Sequence, residues 1–252
     1  MRKITAVMTV CAVLAGTLSS CSAAQNSSQP ASSRRVSTAP LDQELIGTWM
    51  GEFTGYRFQD DRKISLVMDF SSFLHFDSSK HLYLSDDIVP DDSISYNGTE
   101  LNVIIHDDGS SNSDGGTEEE SSGAGGDVEL LALRRKGEAV KETYNGEYDL
   151  VGGDYINIIA DSLFIDPSKL DLDVKIDGEK FIFTAVDYCD YEVSEGQLDM
   201  FSENMAFIDQ NADSVSYKYE IAGDELTLTY MGDVAGDEDD SEPHREVLKR
   251  AD

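Results

Sequence analysis

The feature that most constrains this chain is a strand signal that occurs twice. Gly98-Thr99-Glu100-Leu101-Asn102-Val103 and Gly223-Asp224-Glu225-Leu226-Thr227-Leu228 share a turn glycine, an acid and alternating apolar residues. Each is followed by a loop crowded with Gly, Ser, Asp and Glu. A short apolar segment ending in bases then comes, Leu131-Ala132-Leu133-Arg134-Arg135 in one case and Val247-Leu248-Lys249-Arg250 in the other. The openings match as well, because Gly47 and Trp49 precede the first signal as Gly146 and Tyr148 precede the second. Shared order over such spans predicts a duplication. The 252 residues suffice for one large domain or two small ones of roughly 100–150 residues.

Inside each copy the apolar residues alternate. Ile64, Leu66 and Met68 fall on one face, as do Leu101, Val103 and Ile105. In the second copy Leu170, Leu172, Val174 and Ile176 run into the turn signal Asp177-Gly178, and Val215, Tyr217, Tyr219 and Ile221 lead to Gly223. A period of two broken by polar turns predicts antiparallel strands. The spacing of Ile156, Ile159, Leu163 and Phe164 is helical instead, and predicts a short helix covering an open end or side of the second sheet. Residues 107–127 carry no large apolar side chain and are expected to form a solvated hairpin loop.

The chain opens with Arg2 and Lys3 and then an apolar stretch from Ile4 to Leu18, which is shorter than the ~20 residues a spanning helix needs and has the layout of a secretory signal. The tetrad Leu18-Ser19-Ser20-Cys21 resembles the bacterial lipobox. That resemblance implies cleavage after Ser20 and acylation of Cys21, which would hold the protein at the extracytoplasmic face of the cell membrane. Each buried methylene of an acyl chain contributes ~0.8 kcal/mol, and a second chain makes the anchor stable. Ser, Ala, Gln and Pro dominate residues 22–40, the composition of a flexible tether. The expected divisions are a signal over 1–20, a lipidated cysteine and tether over 21–40, and folded domains over 41–136 and 143–250.

A glycine and an aromatic opening the first strand, many meandering strands, a Gly-x-Glu-Leu-x-apolar strand and a last strand ending in bases together resemble the lipocalin-like domains of Gram-positive secreted lipoproteins. The resemblance covers most of 41–136 and 143–250. It implies an all-β chain of two tandem small antiparallel lipocalin-like β-barrels, with a short helix in the second. The rival arrangement is one barrel built from both halves. Because each copy carries its own first and last strand, two barrels are expected.

Formal charge is −31, from 50 acids against 19 bases. Phosphate binding needs clustered Lys and Arg, so nucleic acid is excluded as a partner. The acidity suits solubility, cationic partners or divalent ions. Of the three cysteines, Cys11 and Cys21 belong to the leader and its boundary, which leaves Cys189 without a partner for a disulfide after processing.

Asp209, Asn211, Asp213 and Glu220 place oxygen ligands at positions 1, 3, 5 and 12 of a calcium loop. Ser214 stands where that loop needs glycine, and the residues after it alternate as a strand, so context argues against the site. His75, His81, His106 and His244 are scattered and form no zinc spacing. Acidic neighbours favour an inert thiol at Cys189. Trp49 and Tyr148, on first strands, are expected to plug their cores. With no catalytic constellation and no cofactor motif, the expected function is a membrane-tethered, non-enzymatic binding or interaction module for a small hydrophobic ligand or an envelope component. Two alternatives are an envelope-associated enzyme acting on a polymer or small hydrophobic substrate, and a calcium-responsive surface protein.

Overall fold

The computed structural model of the chain describes residues 41–106, 126–163, 165–201, 214–231 and 244–251. These residues are mostly strand, with one α-helix. The strands are β1 (Gly47–Met50), β2 (Thr54–Phe58), β3 (Lys63–Asp69), β4 (Leu74–Phe76), β5 (Leu82–Leu84), β6 (Asp87–Ile88), β7 (Ile94–Tyr96), β8 (Glu100–Ile105) and β9 (Val128–Arg135). The second half supplies β10 (Gly146–Gly152), the helix α1 (Asp154–Ser162), β11 (Leu172–Asp177), β12 (Lys180–Ser194), β13 (Gln197–Phe201), β14 (Ser214–Ala222), β15 (Glu225–Tyr230) and β16 (Arg245–Arg250).

Two compact units divide this material. One consists of Asp69–Ser162 and Leu170–Phe183, and the other of the described residues up to Met68, Leu163–Lys169 and those from Thr184 onward. The second unit is an eight-stranded antiparallel barrel. Its strands follow the order β13, β14, β15, β16, β1, β2, β3 and β12, and a pairing of β12 with β13 closes the ring. Closure removes every free sheet edge, so each interior backbone group finds a partner in the ladder. The interior face is set by period two: Trp49, Phe58, Ile64, Met68, Tyr191, Leu198, Leu226 and Leu248 are all buried.

The first unit pairs the start of β12 with β11 and continues through β10, β9 and β8 to β7, with a separate three-stranded sheet of β4, β5 and β6. Helix α1 packs on β9 and β10, as its apolar spacing predicts. Tyr155 and Ile159 are buried beneath it, and Tyr155 stacks on Phe183 with ring centroids 5.8 Å apart. Asp154 in the first turn suits the positive end of the helix. The chain enters α1 through Gly153, whose φ of +97° and close approach to the Leu130 carbonyl leave no room for a side chain.

Closure does not follow the two copies in tandem, which corrects that expectation. β1 pairs with β16, Trp49 opposite Arg250, and so joins the first strand of copy one to the last strand of copy two. β10 pairs with β9, Tyr148 opposite Arg135, and joins the first strand of copy two to the last of copy one. Each unit therefore takes its first three strands from one copy and its last strands from the other. Period and turn signals are identical under either pairing, so nothing local opposes the exchange. Barrel closure through a hydrogen-bonded ring is found in the unit built from the two ends of the folded chain.

The two Gly-x-Glu-Leu hairpins pair in the same register. Glu100, Leu101 and Val103 stand opposite Arg134, Leu133 and Leu131. Glu225, Leu226 and Leu228 stand opposite Lys249, Leu248 and Glu246. The backbone N–H of Arg135 donates to the Thr99 carbonyl at 2.7 Å, and that of Arg250 to the Asp224 carbonyl at 2.9 Å.

Candidate functional site

At one end of the barrel the interior is plugged. The Arg250 guanidinium lies over the Trp49 ring, 4.2 Å from its centroid, and donates to the carbonyls of Ile46 at 3.1 Å and Glu44 at 2.6 Å. Trp49 Nε1 donates to the Leu45 carbonyl at 2.7 Å. Tyr191 donates its hydroxyl to the Gln59 carbonyl at 2.8 Å, and Tyr219 donates to Asp42 at 2.7 Å. Each of these side chains ends on a carbonyl or carboxylate of the protein itself, which reads as structural.

Further along the same interior face the character changes. Tyr56 is opposite Trp49 in the β1–β2 ladder and opposite Leu66 in the β2–β3 ladder, so its side chain shares the face of those buried residues. Glu246 is opposite the buried Leu228 and alternates with Leu248 and Arg250, so its carboxylate also points inward. Tyr217 is opposite Tyr230, and their rings meet edge to face at 6.0 Å. Gly51, in the turn between β1 and β2, lies beside this group: a Cβ there would sit 4.0 Å from Glu246 Oε1 and 3.4 Å from Leu248.

The electrostatics agree with an enclosed setting. Burial raises the Tyr56 phenol well above the usual tyrosine range, and the charges of Glu246, Tyr217, Tyr188 and Cys189 raise it further, which puts five ionisable groups within electrostatic reach of one another. Burial likewise raises Tyr188 and Tyr217. The Glu246 carboxyl is raised by burial, with no base acting to lower it. Yet Tyr56, Tyr188, Tyr230 and Glu246 all keep some accessible surface. These groups are thus crowded by protein and still touched by solvent.

Glu246 accepts no hydrogen bond and forms no ion pair among the described residues. Its neighbours are phenols and aliphatic side chains. Cys189 is buried on β12, and burial first and Asp190 second raise its thiol, which stays protonated and unreactive. The arrangement offers one inward carboxylate against tyrosine faces, suited to holding a ligand by charge and ring contact.

The residues singled out in the sequence are distributed as follows. Ser20, Cys21, Asp209, Asn211 and Asp213 lie outside the described residues. Glu220 is exposed on β14 and accepts from Lys218 Nζ at 2.7 Å, which lowers its carboxyl. Among the described residues no three His, Cys, Asp or Glu side chains come close enough to hold a metal. His75 stacks on Tyr83 at 5.1 Å, and His81 and His106 pair with Asp77 and Asp127. His244 is exposed. Trp49 and Tyr148 are both fully buried core aromatics. Sequence reasoning missed Glu246: the alternation Glu246-x-Leu248-x-Arg250 puts the acid on one face with Leu248, but only the assembled ladder turns that face inward.

Among the described residues no helix is long and apolar enough to cross a membrane. No protein-family model matches the chain, and neither a curated protein sequence nor a solved structure matches it.

Proposed function

We propose that this protein is a lipid-anchored extracytoplasmic lipoprotein whose eight-stranded barrel is a non-enzymatic binding module. The anchor reading rests on the apolar leader and the tetrad ending at Cys21. The binding reading rests on one observation: the interior face carries Tyr56, Tyr217 and Glu246, and Glu246, which keeps some accessible surface, has no hydrogen-bond or ion-pair partner among the described residues. A barrel of eight strands is just wide enough either to be filled by side chains or to hold one small ligand, and accessible polar groups on the inner face favour the second. Both units are lipocalin-like in this reading, derived from two copies that exchanged their first three strands, with Leu131 and Val174 filling in the first unit the places that Glu246 and Tyr56 hold in the barrel.

A second reading, an envelope enzyme, draws on the raised carboxyl of Glu246, the kind of group a general acid requires. It would need a second group within reach to take or give a proton, and the raised phenols and thiol around Glu246 are poor bases at neutral pH.

The anchor is tested by growing cells with labelled fatty acid. The wild-type protein is expected to take up label and partition with membranes, and Cys21→Ala to do neither. Equal membrane retention by the Cys21→Ala protein would end the lipoprotein reading.

A further inference from the structure

We propose that the barrel binds an organic cation, a small ammonium group seated against the Glu246 carboxylate and walled by the faces of Tyr56, Tyr217 and Tyr230. The inference rests on the binding-module reading and names the class of ligand that the site selects.

The first support is the comparison built into the chain. The two copies share register through the β8–β9 and β15–β16 hairpins, so Leu131 opposite Val103 corresponds to Glu246 opposite Leu228. Leu131 is 1% exposed, an ordinary core leucine. In the first-strand ladders Val174 stands opposite Tyr148 as Tyr56 stands opposite Trp49, and Val174 is also 1% exposed. One unit therefore fills these two interior places with aliphatic side chains while the barrel puts an acid and a phenol there. The acid does not help the barrel fold, because a part-buried carboxylate that has no partner among the described residues costs free energy that a leucine does not.

The second support is that the cost falls away with a cation and grows with a neutral apolar ligand. A hydrophobic molecule entering the barrel would strip the remaining water from Glu246 without offering it a charge. An ammonium group supplies the counter-ion, and tyrosine faces attract it through their ring quadrupoles. No base among the described residues acts on the Glu246 carboxyl, and Arg250, four residues further along the same strand, is committed to the Trp49 ring and two carbonyls at the plugged end. On a larger scale, a formal charge of −31 enriches cations around the whole protein and steers them inward.

The test uses the full chain, purified in detergent, with three probes followed by calorimetry: choline, its uncharged isostere 3,3-dimethylbutan-1-ol, and the neutral apolar dye Nile red. Choline is expected to bind at least tenfold more tightly than the isostere, and Glu246→Gln is expected to bring the two to parity. Tyr56→Val, which copies the other unit, should weaken choline severalfold, and it provides a second variant should Glu246→Gln fold poorly. Equal affinity of the wild-type protein for choline and the isostere, or binding of Nile red without choline, would overturn the cation inference while leaving the binding module standing. Binding of none of the three would overturn both.

Discussion

The two units are each locked by an arginine on the last strand and an aromatic on the first, and the two locks match atom for atom along the backbone. Arg250 donates to the carbonyls of Glu44 and Ile46, which precede Trp49 by five and three residues, and Arg135 Nη2 donates to those of Thr143 at 3.1 Å and Asn145 at 2.8 Å, which precede Tyr148 by the same steps. Trp49 donates to the Leu45 carbonyl, and Tyr148 to the Tyr144 carbonyl, each four residues back. The glycines that open the strands, Gly47 and Gly146, leave room for the guanidinium: a Cβ on Gly47 would lie 2.9 Å from Arg250 Nη1, and one on Gly146 would collide with Arg135. What differs is the chain between the parts. Arg135 and Asn145 are 10 residues apart, whereas Arg250 and Ile46 are 204 apart. Loop-closure entropy rises as the logarithm of length, which makes the barrel's lock about 3 kcal/mol more expensive to bring together. The lesson is that one local solution serves both a short-range and a long-range closure, with the long-range one dependent on everything between.

The largest expected effect separates the two locks directly. The Arg135 side chain also donates to the hydroxyls of Tyr96 at 2.9 Å and Tyr148 at 2.7 Å, and Arg135 is 9% exposed. Arg135→Ala takes a charged donor from two carbonyls and two phenols and is expected to cost about 3–5 kcal/mol, against about 1–3 kcal/mol for Arg250→Ala, whose side chain is half-buried. Denaturant unfolding measures both. Trp49 is the chain's one tryptophan and reports on the barrel's lock alone. Native-state emission should shift to the red in Arg250→Ala and stay in place in Arg135→Ala. A matching shift in both variants would mean that the two closures are not separable.

A smaller effect sharpens the chemical difference between the aromatics. Tyr148 carries a hydroxyl that accepts from Arg135 and donates to the Tyr144 carbonyl at 2.5 Å, and burial first, then hydrogen bonding to Tyr96, raises this phenol. Tyr148→Phe keeps the ring beneath the guanidinium and removes both polar contacts, for an expected loss of about 1–2 kcal/mol by thermal unfolding. Trp49 meets the same need with an indole N–H. Loss of no stability in Tyr148→Phe would show that ring stacking alone makes the lock.

Much of this was legible in the sequence and some was not, for a physical reason in each case. The strands, their turns and α1 follow from local period and from Gly and Asp signals, so Val174, Leu226 and Ile159 could be placed on their faces without a structure. Which first strand meets which last strand is a choice between two pairings with the same local pattern. Arg134-Arg135 and Lys249-Arg250 look interchangeable as endings, and only the assembled ladder distinguishes them. The candidate site was hidden for a different reason. Glu246 lies in the closing strand that the alternation marks, but an acid in a chain with 50 of them carries no signal until Leu248 and Arg250 are known to face inward beside it.

The smallest expected effect tests the one interior place where the units differ in charge. Burial raises the Glu246 carboxyl above the ordinary glutamate value of 4.5, so the folded barrel holds this proton more tightly than the unfolded chain does. The stability that this proton confers is fully present below the unfolded value and is lost as pH climbs through the raised one. Tyr56 and Tyr217 across the barrel, Tyr188 and Cys189 beside them, are all raised and stay neutral over that range, so none contributes a competing change. Against wild type, Glu246→Gln is therefore expected to melt at nearly the same temperature at pH 4 and at a higher one by pH 7, with the gap opening between the two. Leu131→Gln, at the matching place of the other unit, has no such proton to lose and should lower the melting temperature by the same amount at both pH values. A gap for Glu246→Gln that is constant with pH would mean that the carboxylate is as well solvated inside the barrel as outside it, and the comparison with Leu131 would then reduce to size.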